Sequence, residues 1–138
     1  LGNVGMTIAV TRDALERLRE EAGAAAPDEC CGLLLGGAGR IDAILPAANV
    51  ADTPRTRFEI DPRVLIDAHR KARERQSAAV LGYYHSHPHG EAMPSPCDRT
   101  EAAHDGKVWA IVGQAGDVRF WRDGAQGFIA LTCTVVGG

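Results

Sequence analysis

Ala78-Ala79-Val80-Leu81-Gly82-Tyr83-Tyr84-His85-Ser86-His87-Pro88-His89-Gly90-Glu91-Ala92-Met93-Pro94-Ser95-Pro96-Cys97-Asp98 is the stretch that decides how this chain is organised. Ala78 to Tyr84 is its most apolar strand candidate and runs directly into two histidines. Side chains two apart on a strand lie on the same face, so His85 and His87 can converge on one ion. Pro88 stops further ladder pairing. Residues 86–94 form a Pro/Gly loop, and Ser95 to Asp105 reads as a helix with Ser95 at its start. Asp98 follows Ser95 by one helical turn and shares its face. Two neutral imidazoles and one carboxylate suit Zn²⁺, with bonds of about 2.0–2.2 Å. Only three protein ligands leave a fourth position open, as in catalytic rather than structural sites.

Working outward, Thr7 to Val10 is a short β-branched strand and Thr11 can cap the helix after it. Ala14, Leu15, Leu18 and Ala22 recur at helical spacing until the small, breaker-rich Gly23 to Pro27. Cys30 to Leu35, closed by Gly36 and Gly37, reads as a buried strand, and Arg40 to Val50 as its hairpin partner. Asn49 to Arg57 is a polar loop, and Phe58 to Ile60 a further short strand. Asp61 before Pro62 signals a second helix, with Val64, Leu65, Ala68 and Ala72 on its apolar stripe. Arg63, Arg70, Lys71, Arg73, Glu74 and Arg75 form its solvated face. Lys107 to Val112, Val118 to Trp121 and Phe128 to Val135 are three more strands. Strands and helices so mixed argue an α/β or α+β sheet domain, and a length of 138 residues suits one domain, 1–138. Residues 1–5 read as a remnant or disordered lead before Met6.

A bound Zn²⁺ lowers the pKa of its water from about 15.7 towards about 7. A general base must still take the proton and pass it to the leaving amine. Glu91 and Glu101 are near in the chain, but Glu91 sits in a loop with nothing to aim it. Glu29 is distant but begins a buried apolar strand, where a carboxylate needs something to face. Spacing alone leaves these candidates open.

The pattern His-x-His-x7-Ser-x2-Asp, filled by His85, His87, Ser95 and Asp98, is the JAMM motif. Glu29-Cys30-Cys31-Gly32-Leu33-Leu34-Leu35-Gly36 is similar to the second half of that signature. The Asn49 loop, Phe58-Glu59-Ile60-Asp61-Pro62 and Gly82 extend the likeness from about Met6 onwards, with no motif position missing. The chain thus resembles the JAB1/MPN/Mov34 metalloprotease family, in particular its small stand-alone bacterial members. The resemblance implies a mixed β-sheet flanked by helices, similar to cytidine deaminases. It implies one Zn²⁺ per chain held by His85, His87 and Asp98, Glu29 as general base and then acid, and Ser95 as donor to the oxyanion. One such donor is worth about 2.7–4 kcal/mol in the transition state. It implies hydrolysis of an amide bond at the C-terminal end of a ubiquitin-like or sulfur-carrier protein ending in Gly-Gly.

The remaining features are assigned to structure. Ser95 also suits a plain N-cap; His89 falls in the exposed loop, and His69 and His104 on helix surfaces. Cys97 packs, since adjacent helical residues point differently, and Gly137-Gly138 reads as a flexible end. The formal net charge of −3 offers no footprint for nucleic acid or an anionic membrane. No apolar run is long enough to span a bilayer. Cys30, Cys31, Cys97 and Cys133 form no CxxC pair or disulfide framework, which predicts a reduced, cytoplasmic protein. The rival readings are a non-catalytic MPN scaffold binding a ubiquitin-like partner, and a zinc nucleoside deaminase. The intact ligand set argues against the scaffold. The deaminase needs His-x-Glu and Pro-Cys-x-x-Cys, whereas here His87-Pro88-His89 lacks the Glu and Pro96-Cys97 lacks the second Cys.

Overall fold

Local signals start each helix where the chain must leave the sheet. Strand β1 (Thr7–Thr11) ends on Thr11, whose side chain accepts from the Ala14 N–H at 3.1 Å and caps helix α1 (Arg12–Ala25). Helix α1 runs through Gly23, past the expected stop. Strands β2 (Cys31–Gly37) and β3 (Arg40–Ala47) form the hairpin, β3 ending earlier than expected. Helix α2 (Pro62–Arg73) starts on Asp61, whose carboxylate accepts from the Arg63 N–H at 3.0 Å. Then come β4 (Ala79–Ser86), α3 (Pro96–Glu101), β5 (Val108–Val112), β6 (Val118–Gly124) and β7 (Gly127–Val136). These elements belong to a computed structural model that describes residues 6–74 and 78–137. Residues 1–5, Arg75 of the charged helix face and Gly138 lie outside the described residues.

The strands pair in the order β1-β3-β2-β4-β5-β6-β7, and β7 returns to pair in parallel with β1. The sheet is mixed, with helices packed on both of its faces, as expected for an α+β fold. Its closure into a barrel was not anticipated. Inside, Val10, Leu34, Ile41, Tyr84, Ala110, Val112 and Phe120 pack with Leu18 and Ala14 of α1. Full burial of a side chain such as Leu18 or Leu34 is worth about 1.5–3 kcal/mol. On the outer face Leu33 and Val80 receive Ala68, Val64 and Leu65 of α2. Among the described residues, no helix is long and apolar enough to cross a membrane.

Two expectations need correction. Phe58 to Ile60 is no strand; only the bridge Asn49↔Ile60 forms. The predicted helix from Ser95 to Asp105 ends at Glu101, because the chain must turn to feed β5. Ala102 is extended and His104 takes a positive φ of 56°, its N–H held by the Asp123 carboxylate at 3.0 Å. His104 is therefore on an exposed loop, not on a helix.

β4 and β5 pair in parallel, and the loop and α3 between them form the crossover. Gly82 permits this pairing, since a Cβ there would run into the Val108 backbone. The histidines therefore emerge at the carboxyl end of a parallel strand, the usual place for a ligand site in such sheets.

Candidate metal centre

β2 and β4 run antiparallel with Cys31 opposite His85, which sets Glu29 against the strand end that carries His87. Ser86 locks this register: its hydroxyl accepts from the Cys30 N–H at 2.8 Å, and its own N–H donates to the Cys30 carbonyl at 3.2 Å. The His87 N–H donates to the Val112 carbonyl at 2.8 Å, so the second histidine is held by β5 as well.

Across the loop, α3 begins with a reciprocal capping box. The Ser95 hydroxyl accepts from the Asp98 N–H at 3.0 Å, and Asp98 Oδ2 accepts from the Ser95 N–H at 2.9 Å. The cap aims the same Oδ2 at both imidazoles. His85 Nε2, His87 Nε2 and Asp98 Oδ2 form a triangle with all three edges 3.1 Å. The structure thus brings these three predicted residues together, at the bottom of the site, with His85 fully buried.

The two imidazoles are oriented by different means. His87 Nδ1 donates to the Glu91 carbonyl at 2.7 Å, which leaves the Nε2 lone pair facing the triangle. His85 Nδ1 is buried with no hydrogen-bond partner among the described residues. Phe58 stacks on that ring instead, with centroids 4.2 Å apart and planes 19° apart.

Burial pushes His85 below its ordinary pKa, against the pull of Asp98. Burial also acts to lower His87, but Asp98, the Glu91 carbonyl and Glu29 outweigh it and raise the pKa. Burial opposes ionisation of Asp98 too, yet its bonds to His85 and His87 hold its carboxyl far below the usual range.

The donor set fits a divalent ion. Two imidazole nitrogens and one carboxylate oxygen lie 3.1 Å from one another, a spacing at which all three can share one cation. Ligands at tetrahedral angles around Zn²⁺ would stand about 3.3 Å apart, close to the observed edges.

Glu29 is buried, and a carboxylate oxygen lies within 4.8 Å of the ligand nitrogens of both histidines. That is close enough to face the site without belonging to the triangle. Oε1 has no hydrogen-bond partner among the described residues. Burial first, with Asp98 adding and His87 opposing, raises its carboxyl from 4.5 to about 7.

Asn49 holds this side in place. Its amide donates to the Glu29 carbonyl at 3.0 Å and to the Arg57 carbonyl at 3.1 Å, while its oxygen accepts from the Ala51 and Glu59 N–H groups at 3.1 and 3.0 Å. It therefore ties Glu29 to the loop that carries Phe58. The sequence reading gave Asn49 and Phe58 no such roles; an Asn beside a Pro-containing loop was the only local sign of the clamp.

The 86–94 loop is better anchored than its composition suggested. The Gln114 N–H donates to the Gly90 carbonyl at 2.9 Å and Trp121 Nε1 to the Ala92 carbonyl at 3.2 Å. Glu91 contributes its carbonyl here, while its exposed side chain forms no part of the triangle. Glu101 pairs with Arg57 at 3.6 Å, and His89 is exposed. Cys30 and Cys31 are free thiols pushed by burial to about 11 and about 12, too high for a nucleophile at neutral pH. A cleft of about 450 Å³ opens above the site; Glu29, His87 and Ser95 line it, with Arg55, Thr56 and Met93 around them.

Comparison with known proteins gives a consistent set. The family model described as prokaryotic homologs of the JAB domain matches residues 11–124. A Thermus thermophilus protein named "Probable TtuB-protein conjugate cleaving protease" is 36% identical over 93% of this chain and 79% of its own. A Haloferax volcanii protein named "Desampylase" is 37% identical over 74% of each. In structure, AF2198, a JAB1/MPN domain protein from Archaeoglobus fulgidus, superposes with a TM-score of 0.60 at 21% identity, covering 93% of this chain and 97% of that one.

Proposed function

The chain belongs to the prokaryotic JAB-domain family, a JAMM-type hydrolase, and on that footing we propose that it is a zinc peptidase that cuts the amide bond at the C-terminal end of a ubiquitin-like protein. The relatives named for conjugate cleavage support the protein substrate. A sulfur-carrier protein ending in Gly-Gly is the finer form of the same proposal. The four free thiols among the described residues suit a reducing compartment, and we place the protein in the cytoplasm.

The observation that carries the proposal is the 3.1 Å triangle of His85, His87 and Asp98 with buried Glu29 facing it. Those three side chains would hold one Zn²⁺ per chain. When bound, the ion supplies Lewis acidity to the carbonyl and makes water more acidic. Glu29 receives a proton from the attacking water on its unpartnered Oε1 and delivers it to the departing amine. Burial raises this carboxyl in the metal-free chain, which favours its taking up a proton. The Ser95 oxygen already accepts from the Asp98 N–H, so its own proton is free to stabilise the developing oxyanion. Asn49 keeps Glu29 at its station, and Phe58 keeps the His85 ring in plane with its task.

Glu29→Gln separates holding from chemistry. Metal analysis should find one zinc per chain in both proteins. Hydrolysis of a ubiquitin-like conjugate should fall by about 10³-fold in the variant. Undiminished turnover would remove Glu29 as the base. Failure of the unaltered protein to take up zinc would leave the non-catalytic binding module in its place.

A further inference from the structure

A second hollow, of about 260 Å³, opens on the outer face of the sheet beyond Phe58. Its aromatic wall is made by Phe58, Tyr83 and Trp109. Trp109 meets the other two rings edge to face, with centroids at 5.8 and 6.4 Å. Its polar lining is Glu59, Glu101, Asp105 and Asp123, and no lysine or arginine is among the described residues that line it. Arg57 reaches Glu101 at 3.6 Å, and Lys107 is committed elsewhere, its Nζ donating to the Val80 carbonyl at 3.4 Å. Glu59 and Asp105 are exposed.

Two buried polar atoms of this lining lack a hydrogen-bond partner among the described residues: Asp123 Oδ1 and Trp109 Nε1. Asp123 is 0% exposed and Trp109 5%. Asp123 Oδ2 is satisfied by the His104 N–H, but Oδ1 is not. The His104 ring does not serve it, since Nδ1 stands 3.6 Å away and donates to the Gly124 carbonyl at 3.0 Å. Buried groups left unpaired are expensive, and native structures rarely keep them without a use. The local field is negative as well: burial, then Asp105 and Asp123, raise the pKa of the Tyr83 phenol.

We propose that this hollow receives a basic side chain, lysine or arginine, of the protein whose amide bond is cut. Only the identity of the partner rests on the peptidase reading. Charge complementarity selects the occupant: three carboxyl groups besides the Arg57-paired Glu101, with three aromatic rings, make a seat for an organic cation. Position links it to the substrate, because the Phe58 ring that walls the hollow is the one stacked on His85. A peptide segment passing there brings a carbonyl as well as a cation, matching a missing acceptor and a missing donor.

The test needs no turnover and uses the full chain carrying Glu29→Gln. The chain has two tryptophans, so its NMR spectrum has two indole N–H signals, which Trp121→Phe assigns. N-acetyl-arginine-N-methylamide or its lysine counterpart should shift the Trp109 signal, and the uncharged citrulline analogue should not. Glu59→Gln with Asp105→Asn, with the rest of the amide spectrum unchanged, should weaken binding about tenfold. Equal binding of citrulline, a stationary Trp109 signal, or undiminished binding to the double variant overturns the assignment. Those outcomes leave the hydrolase reading standing, while loss of zinc or turnover in the unaltered protein tests that reading alone.

Discussion

The two sides of the site are built differently. His85, His87 and Asp98 come from one continuous stretch, fixed within itself by a capping box for Asp98 and the Glu91 carbonyl for His87, and from outside by β5, which pairs with His85 and accepts the His87 N–H. Glu29 comes from the far side, before β2, and its backbone is tied down by Pro54 and by the single amide of Asn49. The lesson is one of division. The proposed metal-holding unit draws its side chains from one stretch of chain, whereas the proposed proton carrier is placed against it by contacts distant in the chain. The two sides should therefore fail separately.

Asp98→Asn strikes the near side and should have the largest effect. It removes the negative ligand, so zinc stoichiometry should collapse and turnover fall by roughly 10⁴-fold. Retention of both by that variant would erase the distinction between the sides.

Asn49→Ala strikes the far side. Chemical denaturation should show a loss of about 2–3 kcal/mol, since several backbone groups lose partners at once. Turnover should drop about 10–100-fold through misplacement of Glu29, with zinc still bound. Zinc loss in Asn49→Ala would mean that the far side also holds the metal.

Phe58→Ala sharpens the comparison where the sides meet. Phe58 belongs to the far loop yet supports a near-side histidine, so zinc affinity measured by competition with a chelator should weaken about tenfold.

The smallest effect is on pH-dependent stability in metal-free protein. The Glu29 carboxyl titrates near 7 when folded and near 4.5 ordinarily, so the folded state binds that proton more tightly. Its contribution is complete below the ordinary carboxylate range and is lost as pH rises through about 7. Glu29→Gln should accordingly leave Tm unchanged near pH 4 and raise it by about 3 °C at pH 8, after allowance for solvent screening. An equal shift at both pH values would show that Glu29 is not strained by burial.

The same division explains what could be read from sequence. Two histidines at strand spacing, a proline stop and a Ser one helical turn before an Asp are short-range patterns, and the structure brings together the three residues they single out. The hairpin and the helix starts at Thr11 and Asp61 were legible for the same reason. Closure of the sheet was not, because the pairing of β1 with β7 joins chain ends whose residues carry no mutual signal. The length of α3 was misjudged because Ala102 and Ala103 fit a helix. What stops it is Asp123, from a strand much later in the chain, capturing the His104 N–H. Asn49 and Phe58 escaped for a related reason: their partners are the Glu29 carbonyl and the His85 ring, groups that only the folded chain brings near.

The return of β7 to β1 also bears on association. A sheet that meets itself has little open margin on which another polypeptide could add as an extra strand, or on which copies could stack edge to edge. Among the described strands, the stretch of β3 beyond Ile41 lacks a neighbour on the β1 side, and it carries Pro46, which has no N–H to donate. That stretch is where, among the described strands, a visiting strand could still add, and Pro46 limits the ladder it can offer.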